Sequence, residues 1–301
     1  MDIEQAQLLR QARLALQNQD YPVAVKALKQ AARLARSEGD LATEGRHLGN
    51  LALIYYRLQR PEQALHYFER ALALARTEGD KLTEDGLLGN MGNILRELQR
   101  YEEAVDYLNH ALTIAQEIGD VRGRGIWLGN LGLVYDDLKL YELAVDFHAQ
   151  SVAVARELHD QRGLASRLGN LGNSVLALGL YAQAINHFNE AITLYQELGD
   201  WSALALRLGI MGNLFLELGM KALAAREDSA TYYQLALEHY QQSLLIAQKL
   251  SDHQTEARLL RSMGNVFLSL GDSTRANELF AAAEQKFAET STTAAPPQTP
   301  N

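Results

Sequence analysis

Asparagine recurs at a fixed spacing along this chain, and its side chain is the repeated group with the clearest binding chemistry. Asn50, Asn90, Asn130 and Asn170 follow one another every 40 residues, each at the end of a Leu-Gly-Asn tripeptide. An asparagine amide carries both hydrogen-bond donors and an acceptor. A row of such amides can therefore bind the main chain of an extended peptide, provided that the fold places them on one surface.

Catalytic chemistry is not predicted from the remaining polar residues. The eight histidines occupy differing positions of the 40-residue period and form no His-Glu-x-x-His pair, so no zinc site is expected. The sequence has no cysteine and no Walker A phosphate-binding motif. We therefore expect neither an enzyme nor a bound metal or cofactor.

The overall charge excludes some classes of partner. The chain carries 28 lysines and arginines against 37 aspartates and glutamates, a net charge of -9. Nucleic acids and anionic membranes repel an acidic protein, so neither is an expected partner. No apolar run of about 18 residues predicts a transmembrane helix. The first residues lack the basic and then apolar layout of a signal peptide, and a cytoplasmic location is expected.

The same period predicts the elements that position the asparagines. It divides the chain into seven units of two helices each, at 1–40, 41–80, 81–120, 121–160, 161–200, 201–252 and 253–292. Gly-Asp pairs at 39–40, 79–80, 119–120 and 199–200 mark joints between units. Glycine tolerates the left-handed end of a helix, and aspartate caps the helix that follows. Self-similarity at this period is typical of a solenoid, in which each repeat contacts only its neighbours.

The regular pattern breaks in two places. The sixth unit is longer by 12 residues, placed at 221–232, which predicts either a lengthened first helix with a longer turn or an insertion that reshapes the groove. Residues 293–301 have no apolar anchor and are expected to be disordered. The last helix carries Leu279, Phe280 and Phe287 with no polar capping helix after it, so we also expect weak self-association through the C-terminal repeat.

Small residues recur where the paired helices must touch. In the first helix of each unit they are Ala12, Ala52, Gly92, Gly132, Gly172, Gly212 and Gly264. In the second helix they are Ala24, Ala64, Ala104, Ala144, Ala184, Ala236 and Ala276. Large side chains such as Phe68 and Phe188 are predicted to fill the space between. This pattern resembles the tetratricopeptide repeat, and its Leu-Gly-Asn core is most similar to the subgroup of Partner-of-Inscuteable-type scaffolds.

The resemblance implies an all-α fold, a right-handed α-solenoid of about seven helical hairpins, whose first helices line a concave groove for a protein or peptide partner. Carried over position by position, the groove residues are Arg10, Arg13, Asn50, Asn90, Asn93, Asn130, Asn170, Asn173, Asn213 and Asn265. Nearby charges that add to the predicted groove are Arg46, Arg57 and Arg258. Arginine binds carboxylates in a bidentate way, which favours a partner with acidic groups.

Alternatives stay open for both the site and the function. The asparagines could hydrogen-bond to an adjacent helix and serve packing only. The first glycine of each pair, as in Gly89 with Gly92, leaves room either for a ligand main chain or for a neighbouring helix. A scaffold that binds a peptide is the favoured function, and a ligand-responsive regulatory sensor and a self-assembling structural module are the alternatives.

Overall fold

Helices joined by turns of two to four residues make up the whole of the described chain. The structure is a computed structural model that describes residues 3–293, and within them the chain forms fourteen α-helices and no strand. It divides into two compact units, residues 3–159 and residues 160–293. The expected all-α solenoid of helical hairpins is confirmed. The tail predicted at 293–301 lies outside the described residues from residue 294 onwards.

Four hairpins form the first unit and three form the second. The first contains α1 (Ile3–Gln17), α2 (Tyr21–Glu38), α3 (Leu41–Arg57), α4 (Pro61–Glu78), α5 (Lys81–Glu97), α6 (Tyr101–Ile118), α7 (Val121–Asp137) and α8 (Tyr141–Glu157). The second contains α9 (Gln161–Ala177), α10 (Tyr181–Leu198), α11 (Trp201–Ala225), α12 (Ala230–Lys249), α13 (His253–Ser269) and α14 (Ser273–Thr293). Inside each unit every helix packs against the next one, and the first helices α5 and α7, like α11 and α13, also touch.

The predicted joints between hairpins are confirmed. The glycines of the Gly-Asp pairs have left-handed φ angles between 64° and 75°. Each aspartate after them accepts a hydrogen bond from a backbone N–H of the next helix, as Asp40 Oδ1 does from Thr43 N at 2.9 Å. These two residues therefore end one hairpin and start the next with their backbone groups satisfied.

Inside each hairpin, a small residue of the first helix faces a large side chain of the second. A Cβ atom added to Gly92 would lie 2.6 Å from Leu108 Cγ, and one added to Gly172 would lie 2.5 Å from Phe188 Cε1. These distances leave no room for any side chain at the glycines, so the predicted pairing of small with large residues is confirmed. His148 takes the large position in the fourth hairpin, where it is fully buried with Nε2 2.9 Å from Asp136 Oδ2.

The extra residues of the sixth repeat extend its first helix and its turn. Helix α11 runs for 25 residues to Ala225, and α12 begins at Ala230. Gly219 and Ala222 of the extension are buried, and Gly219 packs against the ring of Tyr233 at the start of α12. The residues placed at 221–232 thus lie at the end of α11, in the turn and at the start of α12.

Helix α11 is long and apolar enough to cross a membrane by length and composition alone, a feature that the sequence analysis did not predict. Half of the most apolar 18-residue stretch of α11 is buried inside the fold. Leu208, Met211 and Leu214 are among the buried side chains. Packing in the interior of the second unit therefore accounts for the apolar character of this helix.

A buried hydrogen bond joins two hairpins of the first unit. Trp127 Nε1 on α7 donates to Asp85 Oδ1 on α5 at 2.6 Å, and Asp85 is only 2% exposed. Burial raises the pKa of Asp85 to about 6, and the charge of Asp120 adds to this rise, whereas the bond from Trp127 opposes it. Between about pH 4 and pH 6, the folded chain therefore binds more protons at this carboxyl than the unfolded chain does.

This difference predicts that Asp85 destabilises the fold as the pH rises through 6. Its contribution to the free energy of unfolding is fully present below pH 3.8 and decreases by on the order of 3 kcal/mol by neutral pH. Asp85→Asn keeps an oxygen acceptor for Trp127 and removes the charge. Urea unfolding should show this variant more stable than the original chain at pH 7.5 and equally stable at pH 4. The exposed Asp106→Asn is the control, and a variant of Asp85 that is less stable at both pH values would contradict the argument.

Two glycines of α5 give opposite predictions for the same substitution. Gly86→Ala adds a Cβ with no atom within 4 Å, so it should stabilise the fold by up to about 1 kcal/mol through helix propensity. Gly92→Ala drives its Cβ into Leu108 and should destabilise by about 1–3 kcal/mol. Thermal unfolding of both variants measures the two effects, and a Gly92→Ala variant that gains stability would show that the close helix approach is not required.

Candidate functional site

Three of the predicted asparagines meet in one cavity of the first unit. Asn90 and Asn93 of α5 and Asn130 of α7 line a space of about 250 Å³, here called the asparagine cavity. Its other lining residues are Leu53, Tyr56, Phe68, Ile94, Arg96 and Glu97. Among residues 3–293, none of the three asparagine side chains has a hydrogen-bond partner. Their donors and acceptors are therefore available to a ligand.

Polar contacts between neighbouring first helices border this cavity. Tyr56 of α3 donates to the carboxylate of Glu97 on α5. Burial and the neighbouring Glu97 raise the pKa of Tyr56 to about 12, so its hydroxyl stays protonated. Arg96 Nε lies 3.2 Å from Asp137 Oδ2 on α7. These contacts hold the edge of the cavity by internal pairing, which leaves the asparagine amides as its unsatisfied polar groups.

A larger cavity lies between α1 and α3 and collects four more of the predicted residues. Arg13, Arg46, Asn50 and Arg57 line this space of about 760 Å³, here called the α1–α3 cavity. Arg46 donates to Thr43 Oγ1 at 2.7 Å. None of the three arginines forms an ion pair with any residue that the structure describes. Leu53 lines both cavities, which are therefore neighbours on the first unit.

Arg10 does not join the other N-terminal arginines. It lines a separate depression with Gln7, Gln11, Leu14 and Asn18. Arg10 and Arg13 were both predicted to line the groove. Residues three apart on a helix are only about 60° apart around its axis, so the two side chains are neighbours on α1, but they line different depressions.

The asparagines of the second unit have differing surroundings and do not share a cavity. Asn213 Oδ1 accepts a hydrogen bond from the hydroxyl of Tyr240 at 2.7 Å. Asn173 Oδ1 lies 3.5 Å from Arg207 Nη1, and Asn173 also lines a separate depression with Tyr181, Glu217 and Lys221. Asn213 thus has a packing role, which was one of the two readings left open by the sequence.

The remaining predicted residues of the second unit are placed apart from one another. Asn265, at the position equivalent to Asn213, is exposed, and Asn170 is half-buried. Arg258 is exposed and donates to Thr255 Oγ1 at 2.9 Å within its own helix. Asn170, Arg258 and Asn265 are not among the residues that line the cavities described above.

The glycines of the Leu-Gly-Asn tripeptides, which are the first glycines of the glycine pairs, make room for protein side chains. A Cβ on Gly89 would lie 2.2 Å from the ring of Trp127, and one on Gly169 would lie 1.9 Å from the guanidinium of Arg207. Neighbouring first helices therefore occupy this space, and no ligand main chain can do so at these two positions. A large residue 38 positions after each glycine was the sequence signal that could have predicted this contact.

Arg207 is the buried cation of the second unit. It is 6% exposed, its guanidinium lies 5.2 Å from the ring centre of Phe188, and Nη1 donates to the Gly169 carbonyl at 3.2 Å. Burial lowers the pKa of Arg207. Because Nη1 donates to a backbone carbonyl of α9 and the guanidinium lies over a ring of α10, Arg207 serves the contacts of α11 with both helices.

The repeats are those of a known family. The tetratricopeptide repeat profile matches residues 3–77, 84–157 and 233–287, about two thirds of the chain, and the chain therefore belongs to the tetratricopeptide repeat family. Residues 170–216 also match the profile of anaphase-promoting complex subunit 5. No curated protein matches the chain.

Solved structures with the same fold include two Rap proteins and a sensor. The apo form of RapI is 17% identical with a TM-score of 0.68, and the match covers 96% of this chain and 100% of RapI. A Rap protein complexed with competence and sporulation factor is 16% identical with a TM-score of 0.59, covering 90% of this chain and 76% of that protein. A STAND protein with a tetratricopeptide repeat sensor, PH0952 from Pyrococcus horikoshii, is 17% identical with a TM-score of 0.75. That match covers 91% of this chain but 40% of PH0952.

The contrast between Asn213 and Asn265 predicts different costs for the same substitution. Asn213→Ala removes the acceptor of the fully buried Tyr240 and should lower the free energy of unfolding by about 1 kcal/mol. Asn265→Ala is the matched control at the equivalent position, where Phe280 replaces Tyr240 and offers no hydroxyl, and should cost nothing. Chemical unfolding of both variants tests the difference, and equal stabilities would remove the packing role of Asn213.

Proposed function

We propose that this chain is a non-enzymatic protein-interaction module that binds an extended peptide segment of a partner across the first helices of its first unit. The observation that carries the proposal is the asparagine cavity, where Asn90, Asn93 and Asn130 present unpaired amides side by side. Side-chain amides match the alternating N–H and C=O groups of a peptide main chain. Recognition of this kind selects an extended shape more than a particular sequence.

The adjoining arginines give the proposed partner a charge preference. Arg13, Arg46 and Arg57 lie in a chain of net charge -9, so the N-terminal end of this surface is positive against an acidic background. Unpaired guanidinium groups bind carboxylates in a bidentate way. A peptide with acidic groups is therefore the favoured partner.

The family supports a role in binding, and the solved structures support it through their fold. The Rap protein complexed with competence and sporulation factor shows that a chain with this fold accommodates a bound factor. The similarity to the tetratricopeptide repeat sensor of PH0952 supports the alternative function, a ligand-responsive regulatory sensor. The closer resemblance to Partner-of-Inscuteable-type scaffolds stays a prediction from the Leu-Gly-Asn tripeptides.

Three further predictions belong to this proposal. We expect a cytoplasmic location, and the net charge favours neither nucleic acid nor an anionic membrane as partner. Weak self-association through the C-terminal repeat is also expected. Leu279, Phe280 and Phe287 of its last helix are half-buried, and the sedimentation coefficient at rising protein concentration tests their role.

The asparagine cavity predicts the effect of a double substitution on peptide binding. Peptides selected on the original chain from a random display library should bind the Asn90→Ala/Asn93→Ala variant at least tenfold more weakly, because two neutral hydrogen bonds of about 1 kcal/mol each are lost. Fluorescence anisotropy measures the affinities. Asn109→Ala, an exposed asparagine on the second helix α6, is the control, and circular dichroism verifies the fold. Unchanged affinity of the double variant would place the peptide elsewhere.

A further inference from the structure

Two buried polar side chains of the α1–α3 cavity have atoms without partners. Gln5 of α1 is 2% exposed and His47 of α3 is 4% exposed, and both line the cavity. Neither Gln5 Nε2 nor either ring nitrogen of His47 has a hydrogen-bond partner among the residues that the structure describes. Because almost all buried polar atoms of folded proteins are hydrogen-bonded, three such atoms around one space indicate a ligand.

The third and fourth hairpins contain a pair equivalent to Gln5 and His47, and that pair is hydrogen-bonded. Gln5 and His47 occupy the same repeat positions as Asp85 and Trp127, which lie 80 residues further along the chain. Asp85 and Trp127 satisfy each other through their 2.6 Å hydrogen bond. Gln5 and His47 form no such bond, and an open cavity lies at this position instead. Asp85 and Trp127 therefore show how this pair of positions looks when it serves only packing, and Gln5 and His47 differ from it.

The charges around the cavity favour an anion. Arg13, Arg46 and Arg57 line it without ion pairs, against one carboxylate among the lining residues, Asp40. Asp40 is used as a helix cap, since its Oδ1 accepts from Thr43 N at 2.9 Å. Burial and the charge of Arg46 lower the pKa of His47, so its imidazole is neutral at pH 7, with one nitrogen to donate and one to accept.

Apart from Thr43 and Asn50, the rest of the lining is aliphatic. Leu9, Leu16, Leu28, Leu53 and Ile54 contribute the apolar wall, and no phenylalanine, tyrosine or tryptophan lines the space. Such a wall fits a branched or straight hydrocarbon group. A cavity of about 760 Å³ is also within the size range of small-molecule sites.

We propose that the α1–α3 cavity binds an aliphatic carboxylate, with the carboxylate held by the arginines, the hydrocarbon against the leucines, and a polar group of the ligand within reach of Gln5 and His47. A free medium-chain acid and the C-terminal residue of a peptide that ends in leucine share this chemistry. The asparagine cavity is a separate space, but the same arginines also give the proposed peptide surface its charge preference. The Asn90→Ala/Asn93→Ala variant leaves the arginines intact, so it distinguishes failure of the proposed peptide binding from failure of this site.

The first experiment titrates the full chain with sodium octanoate and with octanol, using isothermal titration calorimetry at pH 7. Octanoate should bind at least tenfold more tightly than octanol. Arg13→Gln/Arg57→Gln should weaken octanoate at least tenfold, and the control Arg33→Gln/Arg36→Gln on the second helix α2 should leave it unchanged. Equal binding of the acid and the alcohol, or equal loss in both double variants, would overturn the proposal.

The source of the carboxylate is decided by a second pair of probes. Acetyl-Ala-Ala-Ala-Leu with a free C-terminus is compared with its C-terminal amide. Tighter binding of the free peptide than of octanoate, with loss in the amide, assigns the site to a peptide terminus. Tighter binding of octanoate assigns it to a free acid. Absence of binding by octanoate and by the free peptide at millimolar concentration would overturn the assignment of either ligand.

His47→Leu separates a binding role from a structural one. Leucine stands at the equivalent position of the next repeat, Leu87, so the substitution suits the fold. We expect a higher melting temperature, because a buried imidazole without partners is removed, together with at least threefold weaker binding of the better probe among octanoate and the tetrapeptide acid. A variant that gains stability and keeps its full affinity for that probe would exclude His47 from the site.

Discussion

The contact between a small residue of the first helix and a large residue of the second sets the spacing of each hairpin. Gly92 against Leu108 and Gly172 against Phe188 are two examples, and each glycine costs roughly 1 kcal/mol in helix propensity relative to alanine. The close approach offsets that cost through packing. It also orients the rest of the first helix: residues at positions -2 and +1 from the glycine lie about 160° and 100° around the helix from it. Asn90 and Asn93 stand at these positions, so both point away from the hairpin partner.

A second contact, between first helices of adjacent hairpins, decides where space is left. Trp127 packs on Gly89 and bonds to Asp85, which fills the space between α5 and α7 at this level. At the equivalent layer between α1 and α3, His47 is smaller than tryptophan and finds no partner in Gln5. The same repeat position thus gives a filled interface in one hairpin and a cavity in another. The binding capacity of a repeat protein depends on such differences between otherwise similar layers.

Charged residues of similar type have different roles for the same geometric reason. Asp137 of α7 pairs with Arg96 of the neighbouring first helix α5, so these two charges stabilise the edge of the asparagine cavity. The arginines of the α1–α3 cavity form no ion pair with a described residue, and Arg46 uses one donor on Thr43 Oγ1. Positive potential therefore remains at the N-terminal end of a chain whose net charge is -9.

The amino-acid sequence by itself determined the helical hairpins, their joints and the pairing of small with large residues, because the period, the Gly-Asp pairs and the small positions act through local conformation and neighbouring turns. It also identified Asn90, Asn93 and Asn130, which the fold places in one cavity. Only the tertiary structure decided that Asn213 is bonded to Tyr240, that Arg10 and Arg13 line different depressions, and that Gln5 Nε2 and the ring nitrogens of His47 are buried without partners. These outcomes depend on which side chain of one helix meets which side chain of another, at distances that a repeat period does not specify.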